Sequence, residues 1–301
     1  MWSIFEQIII LLVFVAAGFT VGKIGLVKPE HSKVLSTLLV YVFLPCNIIK
    51  TFTERFNIEF LSANWQDIAI STVITLASAV VAHFVVKLFT KNKYERSVYE
   101  YSVVVPNSGY VGYALAGGFF GAAGQITLMT MALPVQVYIY TYGYAILTKQ
   151  GLKLKKLINP VLIATLLGIV LGLLNVKFPS TVVGVLDASG SCMAPVSMIL
   201  TGCVVSEFKL RDMVAKVGIY PVLLLRLIVI PIIVGVILLK LVGTPTAPVA
   251  VLLYALPCGM NSVVFPKLVG EDCRGGAGLS LISTVLTAAT VPLIFWIFGI
   301  V

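Results

Sequence analysis

Two stretches of this chain set proline, glycine and small amide or hydroxyl side chains together inside long apolar runs. They are Val105-Pro106-Asn107-Ser108-Gly109-Tyr110-Val111-Gly112 and Ala255-Leu256-Pro257-Cys258-Gly259-Met260-Asn261-Ser262. A proline inside a helix removes a backbone donor and clashes with the carbonyl four residues back, at a cost of about 3 kcal/mol, and nearby glycine loosens the turn further. Neither stretch can be regular helix throughout. In hydrocarbon, freed backbone groups are tolerated only where protein or a wet cavity satisfies them. Each break also creates a half-helix N-terminus, whose unpaired N–H groups and partial positive charge favour an anionic group such as a carboxylate. Asn107, Ser108 and Asn261 can cap those ends or hydrogen-bond a ligand directly. Gly109 and Ser262 complete the candidate binding set, while Pro106, Gly112, Pro257 and Gly259 make the breaks. The plainer alternative is that proline and glycine merely kink membrane helices and that the asparagines join neighbours. Two breaks at matching places favour a binding site.

Other polar residues inside apolar runs carry both a functional and a structural reading. Arg226 lies about ten residues into a span, where inserting a charge costs roughly 2.5–3.5 kcal/mol, so it needs a partner or a wet path. It is a candidate for the substrate anion; the alternatives are snorkelling and structural pairing. Asp187, beside Ser189, Gly190 and Ser191, is the one carboxylate well inside the proposed spans and a candidate for proton coupling, with capping as the structural reading. Gln136 follows Pro134 and is expected to steady the crossing backbone or touch substrate, with plain interhelical hydrogen bonding as the structural reading. His83 and the run Tyr138, Tyr140, Tyr142 and Tyr144 read as packing and interface residues.

The elements that must position these groups follow from composition. Of 301 residues, 59% are hydrophobic and 11% charged, against about 25% charged in a soluble domain. About 30 Å of hydrocarbon at 1.5 Å per residue needs some 20 apolar residues. Ten such spans are predicted: Phe5–Val21, Val34–Ile49, Ile68–Leu88, Tyr101–Ala122, Ile126–Leu147, Val161–Val176, Val182–Val205, Val217–Leu239, Ala247–Val269 and Gly278–Val301. The polar stretches Lys50–Asp67 and Lys149–Asn159 are expected to be loops or interfacial pieces. The first run lacks a basic leader and is expected to stay in the mature protein.

The net charge of +9 could indicate nucleic acid, but its placement fits membrane orientation. With the N-terminus outside, the cytoplasmic loops hold sixteen Lys and Arg, from Lys23 to Arg274, and the external loops hold four, Lys50, Arg55, Lys177 and Lys240. Both termini are then expected outside a cell (inner) membrane. The five cysteines form no CxxC pair and read as small packing residues. With two histidines and no aspartate pair in the spans, a membrane enzyme is disfavoured and no metal or cofactor is expected.

Punctuation recurs at about half the chain length: Pro45 answers to Pro195, and Pro106 to Pro257. An odd number of spans per copy inverts the second copy, so residues 1–150 and 151–301 are expected to be inverted five-helix repeats, a transporter architecture. The two breaks would meet and cross at mid-membrane.

At these residues the chain resembles the auxin efflux carrier family, which includes the plant PIN auxin carriers and bacterial and archaeal relatives. Phe43-Leu44-Pro45-Cys46-Asn47 is similar to its Phe-x-x-Pro stretch, and Pro106-Asn107-Ser108-Gly109 with Gly112 to its Asn-Thr-Gly-x-x-Gly crossover. Asn159-Pro160 with Gly168 and Gly172 resembles the start of its second half, and Ala255-Leu256-Pro257 with Asn261 its Ala-Met-Pro-x-x-x-Asn segment. Tyr113-Ala114 departs from it where many members carry a proline, and the central loop is shorter than in long plant carriers. The resemblance implies an all-α, NhaA-like fold of ten helices with broken helices four and nine crossing. It implies a scaffold of helices 1, 2, 6 and 7 that pairs two protomers, a moving unit of helices 3–5 and 8–10, and small organic anions as cargo. Asn47 joins the candidate substrate residues on the same ground. The expected function is carriage of carboxylates by an elevator-type mechanism, with proton or sodium coupling open. A cation/proton antiporter or a non-transporting sensor of the same fold is the alternative.

Overall fold

The computed structural model describes residues 2–55, 57–149, 160–207, 209, 211 and 216–300, and these are helical with no strand among them. Asn159 and the lysines Lys153, Lys155 and Lys156 lie outside the described residues. In chain order the helices are α1 (Trp2–Lys23), α2 (Glu30–Glu54), α3 (Ile58–Leu88), α4 (Lys93–Val104), α5 (Tyr113–Tyr138), α6 (Pro160–Leu173), α7 (Ser180–Ser206), α8 (Ile219–Val242), α9 (Ala247–Ala255), α10 (Asn261–Val269) and α11 (Arg274–Phe298). Five of them, α2, α3, α7, α8 and α11, are long and apolar enough to cross a membrane. The outer faces suit lipid: Val73, Leu76, Val80 and Phe84 on α3 are 66, 58, 60 and 62% exposed, and Leu166, Leu167 and Val170 on α6 are exposed as well. Helices apolar on their outer as well as inner faces belong in a bilayer rather than in water.

The helix ends are set by local chemistry, and several depart from the hydropathy boundaries. The fourth helix begins at Lys93, not at Tyr101, because the Asn92 side chain accepts from the backbone N–H groups of Tyr94 and Glu95. The polar run Lys93–Glu100 is therefore helical. Asn57 caps α3 in the same way through Phe60 N–H at 2.7 Å, so residues 58–67 are helical too, with a kink at Asn64. Gly121, at φ +66°, turns the chain sharply between the segment that starts at Ser108 and the body of α5. Wide π turns at Leu39–Phe43, Ile139–Gly143 and Leu225–Val229 re-aim α2, α5 and α8.

Close packing between α1 and α7 rests on small residues. A Cβ at Gly18 would overlap the Ile199 carbonyl, one at Gly22 the Ser206 hydroxyl and one at Gly202 the Val15 carbonyl. Backbones approach this closely where the facing residues are small and four apart. α2 packs its second half on α6, and α3 packs on α5. Gly202→Leu is expected to prise α1 from α7 and destabilise the detergent-solubilised protein by about 1–3 kcal/mol. Gly184→Ala, on the same helix but with open space at its Cβ, should leave thermal unfolding unchanged. Equal unfolding midpoints for the two variants would contradict this packing account.

Candidate functional site

The two proline-containing breaks meet. After α4 ends at Val104 the chain extends through Val105 (φ −95°, ψ 113°), and after α9 it extends through Leu256 (φ −65°, ψ 154°). The segments pair antiparallel at Pro106 and Cys258. Asn107 N–H donates to the Pro257 carbonyl at 2.8 Å, and Gly259 N–H donates to the Val105 carbonyl at 2.9 Å. Ser283 on α11 accepts from Cys258 N–H at 3.0 Å. Each proline lacks the donor that a helix would need and lies where a crossing strand supplies other partners. The crossing is tight at Gly259, where a Cβ would sit 2.7 Å from Val105 Cγ1.

On one side of the crossing, the C-terminal ends of α4 and α9 converge on Arg226. Its Nε donates to the Leu256 carbonyl at 3.0 Å, Nη2 to Leu253 at 3.3 Å, and Nη1 to Val103 and Val104 at 3.3 and 3.5 Å. Arg226 is fully buried. A helix C-terminus carries roughly half a negative charge, so two of them offset one guanidinium. Of the two readings of Arg226, the geometry fits structural pairing: its donors are directed to backbone carbonyls and it does not line the cavity described next. The reason is local. Breaking two helices leaves carbonyls that water cannot reach, and a forked donor satisfies several at once.

On the other side lie the two new N-terminal ends. A cavity of about 290 Å³ is lined there by Asn47, Asn107, Ser108, Gly109, Gln136, Gly259 and Asn261, together with Tyr101, Tyr140, Gly190, Ser191 and Met193. Asn107 is 3% exposed and its Nδ2 is buried with no hydrogen-bond partner. Ser108 opens the segment leading into α5, and Asn261 is the first residue of α10. α2 supplies Asn47, α5 supplies Gln136 and Tyr140 comes from the wide turn that follows it.

Not every candidate reaches the cavity. Ser262 is buried behind it, donating to the Gly259 carbonyl at 2.8 Å, and Gly112 packs under Leu256. Asp187 is exposed and forms an ion pair with Lys50, away from the crossing. Asp187, offered for proton coupling with a structural role as the alternative, is thus found in an ion pair. Among the described residues the buried carboxylate is Glu100 on α4, 6% exposed. His83 Nδ1 lies 3.2 Å from Glu100 Oε2, and the Tyr142 hydroxyl donates to Oε1 at 2.8 Å. Hydropathy placed Glu100 just outside its span. The Asn92-Lys93-Tyr94-Glu95 capping pattern is the signal that puts it inside a helix.

The sequence profile of a family described as membrane transport protein matches this chain in two segments, residues 3–156 and 149–297. An uncharacterized transporter of Methanothermobacter thermautotrophicus is 24% identical over 306 residues, covering 96% of each chain. An uncharacterized transporter of Methanocaldococcus jannaschii is 27% identical over 124 residues, which span 40% of this chain and 39% of that protein.

Replacing Arg226 tests the carbonyl-satisfying role. Arg226→Met leaves buried acceptors unpaired, at about 1–3 kcal/mol for each group left without a donor, and is expected to lower the unfolding midpoint in detergent more than Arg226→Lys does. Wild-type stability in Arg226→Met would sink that role.

Proposed function

We propose an anion-carrier function for this chain, which belongs to the membrane transport protein family, that of the auxin efflux carriers. Transport across a membrane is the property of the family; the cargo is our reading. The observation that carries it is the cavity at the two half-helix N-termini, with the buried, unpartnered Asn107 amide donor on its wall. N-terminal N–H groups, an amide donor and hydroxyls together suit an acceptor that bears negative charge. No charged side chain lines the cavity among the described residues, so the anion is held by dipoles and hydrogen bonds alone. A volume of about 290 Å³, at the small end of ligand pockets, fits a compact carboxylate.

The rest of the reading follows the family architecture. Residues 1–150 and 151–301 form inverted repeats of five spans each. The helices that carry the crossing, with α3, α5, α8 and α11, move against a scaffold of α1, α2, α6 and α7, through which two copies pair. Alternating access then carries the cavity past the scaffold wall formed by Asn47, Gly190, Ser191 and Met193. A cation/proton antiporter of the same fold would want carboxylates at the crossing, and the cavity wall has none among the described residues.

Uptake into proteoliposomes, screened over monocarboxylates, dicarboxylates and indole acids, tests the cargo. Asn107→Ala and Asn261→Ala are each expected to lower uptake by about tenfold or more, consistent with about 1.4 kcal/mol or more for hydrogen bonds to a charged group. Movement of Na⁺ with no uptake of any anion would overturn the anion reading. Binding unaffected by both substitutions would overturn the site.

A further inference from the structure

We propose that Glu100 and His83 form a proton-binding site, and that loading it offsets the charge of one bound monoanion, so that the carrier moves one proton with each such anion. This rests on the anion-carrier reading above. Among the described residues, Glu100 and Arg226 are the only charged residues that are buried. Both belong to the part of the molecule that holds the crossing.

The pair is built to take a proton. Glu100 lies five residues before Val105, about 8 Å of helix from the crossing. His83 Nδ1 and Glu100 Oε2 stand 3.2 Å apart. At that distance two lone-pair-bearing atoms need a proton between them, carried here as Nδ1–H by the imidazole toward the carboxylate. With one proton between them the pair carries a single negative charge. A second proton, taken from water, forms an N–H bond at His83 Nε2 and leaves an imidazolium–carboxylate pair of zero net charge. No other bond changes. The His83 side chain is 49% exposed. The Tyr142 hydroxyl, bonded to Glu100, lines a recess with Lys93, Ser97 and Lys149 at the end predicted to be cytoplasmic.

The charged and titratable groups on the surrounding elements are otherwise engaged or neutral. From α3, Lys87 lies over the Phe84 ring at 4.7 Å. After α5, Tyr138 packs on Tyr142 with ring centroids 5.5 Å apart, and Tyr144 packs on Phe265. From α8, Arg226 binds carbonyls at the far end of α4. From α10, Lys267 pairs with Glu207, and from α11, Arg274 pairs with Asp272. Among the described residues, His83 is thus the one base at contact distance from Glu100.

The coupling then follows from charge. With the site empty and the pair singly protonated, Arg226 and Glu100 sum to zero. A monoanion alone makes the unit negative, and a second proton alone makes it positive. Both together restore zero. A net charge carried through a low-dielectric medium is disfavoured, so the unit moves with both passengers or with neither.

The test uses the full-length protein in proteoliposomes on a solid-supported membrane, with the proton itself as probe: a step in pH with no organic anion present. Wild type is expected to give a transient current from proton binding. Replacing both, Glu100→Gln with His83→Gln, should reduce it at least tenfold, while either single substitution, which leaves one partner able to take a proton, should leave a reduced transient. A missing wild-type transient or a full transient in the double variant would each overturn the proposal. If the double variant is not monodisperse, a full transient in both single variants overturns it instead. Asn107→Ala separates the two readings, because it should lose anion uptake while keeping the transient.

Discussion

Everything distinctive in this molecule follows from breaking two helices where no water can repair the damage. A backbone N–H or carbonyl left unpaired in hydrocarbon costs several kcal/mol, and each break frees several. The structure answers by making the breaks meet. Two backbone hydrogen bonds, Asn107 to Pro257 and Gly259 to Val105, join the extended segments to each other, and Ser283 satisfies a further N–H. Neither break could exist alone, and the prolines become tolerable because their missing donors fall where a crossing chain, not a helix, supplies the partners.

The crossing also sorts charge. Because both chains run from a helix C-terminus into an N-terminus, like ends fall together: carbonyls around Arg226, N–H groups around the cavity. A guanidinium at the first cluster and an anion at the second are then responses to one geometry. The N-terminal cluster alone is exposed to solute, since Gly109 and Ser191 on its rim are open while Arg226 is sealed. Selectivity for an anion therefore needs no basic side chain in the wall, only the orientation of two half-helices and an amide such as Asn107 with a free donor.

The breaks were legible in the sequence because proline and glycine act locally: Pro106, Gly109, Pro257 and Gly259 mark them whatever surrounds them. So were most of the residues that gather at the cavity, since polar side chains in apolar spans have few other places to go. What hydropathy missed was set by tertiary contact. Arg226 stood open between a ligand for cargo and a structural partner because sequence shows its charge and not the four carbonyls it reaches. Asp187 could be placed inside a span but not given its partner, which is Lys50 on a neighbouring helix. Glu100 fell one residue before its predicted span because a polar run precedes it, whereas the Asn92 cap starts the helix early and that carboxylate is buried.

The two ends of α2 and α7 are held in different ways. Near its start, α2 is fastened to the crossing unit: Ser36 donates to the Val264 carbonyl at 2.6 Å, and Ser32 donates to Glu207, which also holds Lys267 at 2.6 Å. Fifteen residues later the same helix presents Asn47 to the cavity, a separation of about 22 Å along the axis. α7 does the same in reverse, with Gly190 and Ser191 at the cavity and Glu207 just beyond its end at the fastening. The contacts at Lys267 seal one end of the seam while the cavity stands at the other. Between those two ends the helices share an apolar core, in which Leu39, Leu44 and Ile48 of α2 cluster with Tyr101 and Val105 at the first break and with Val263 and Phe265 of α10.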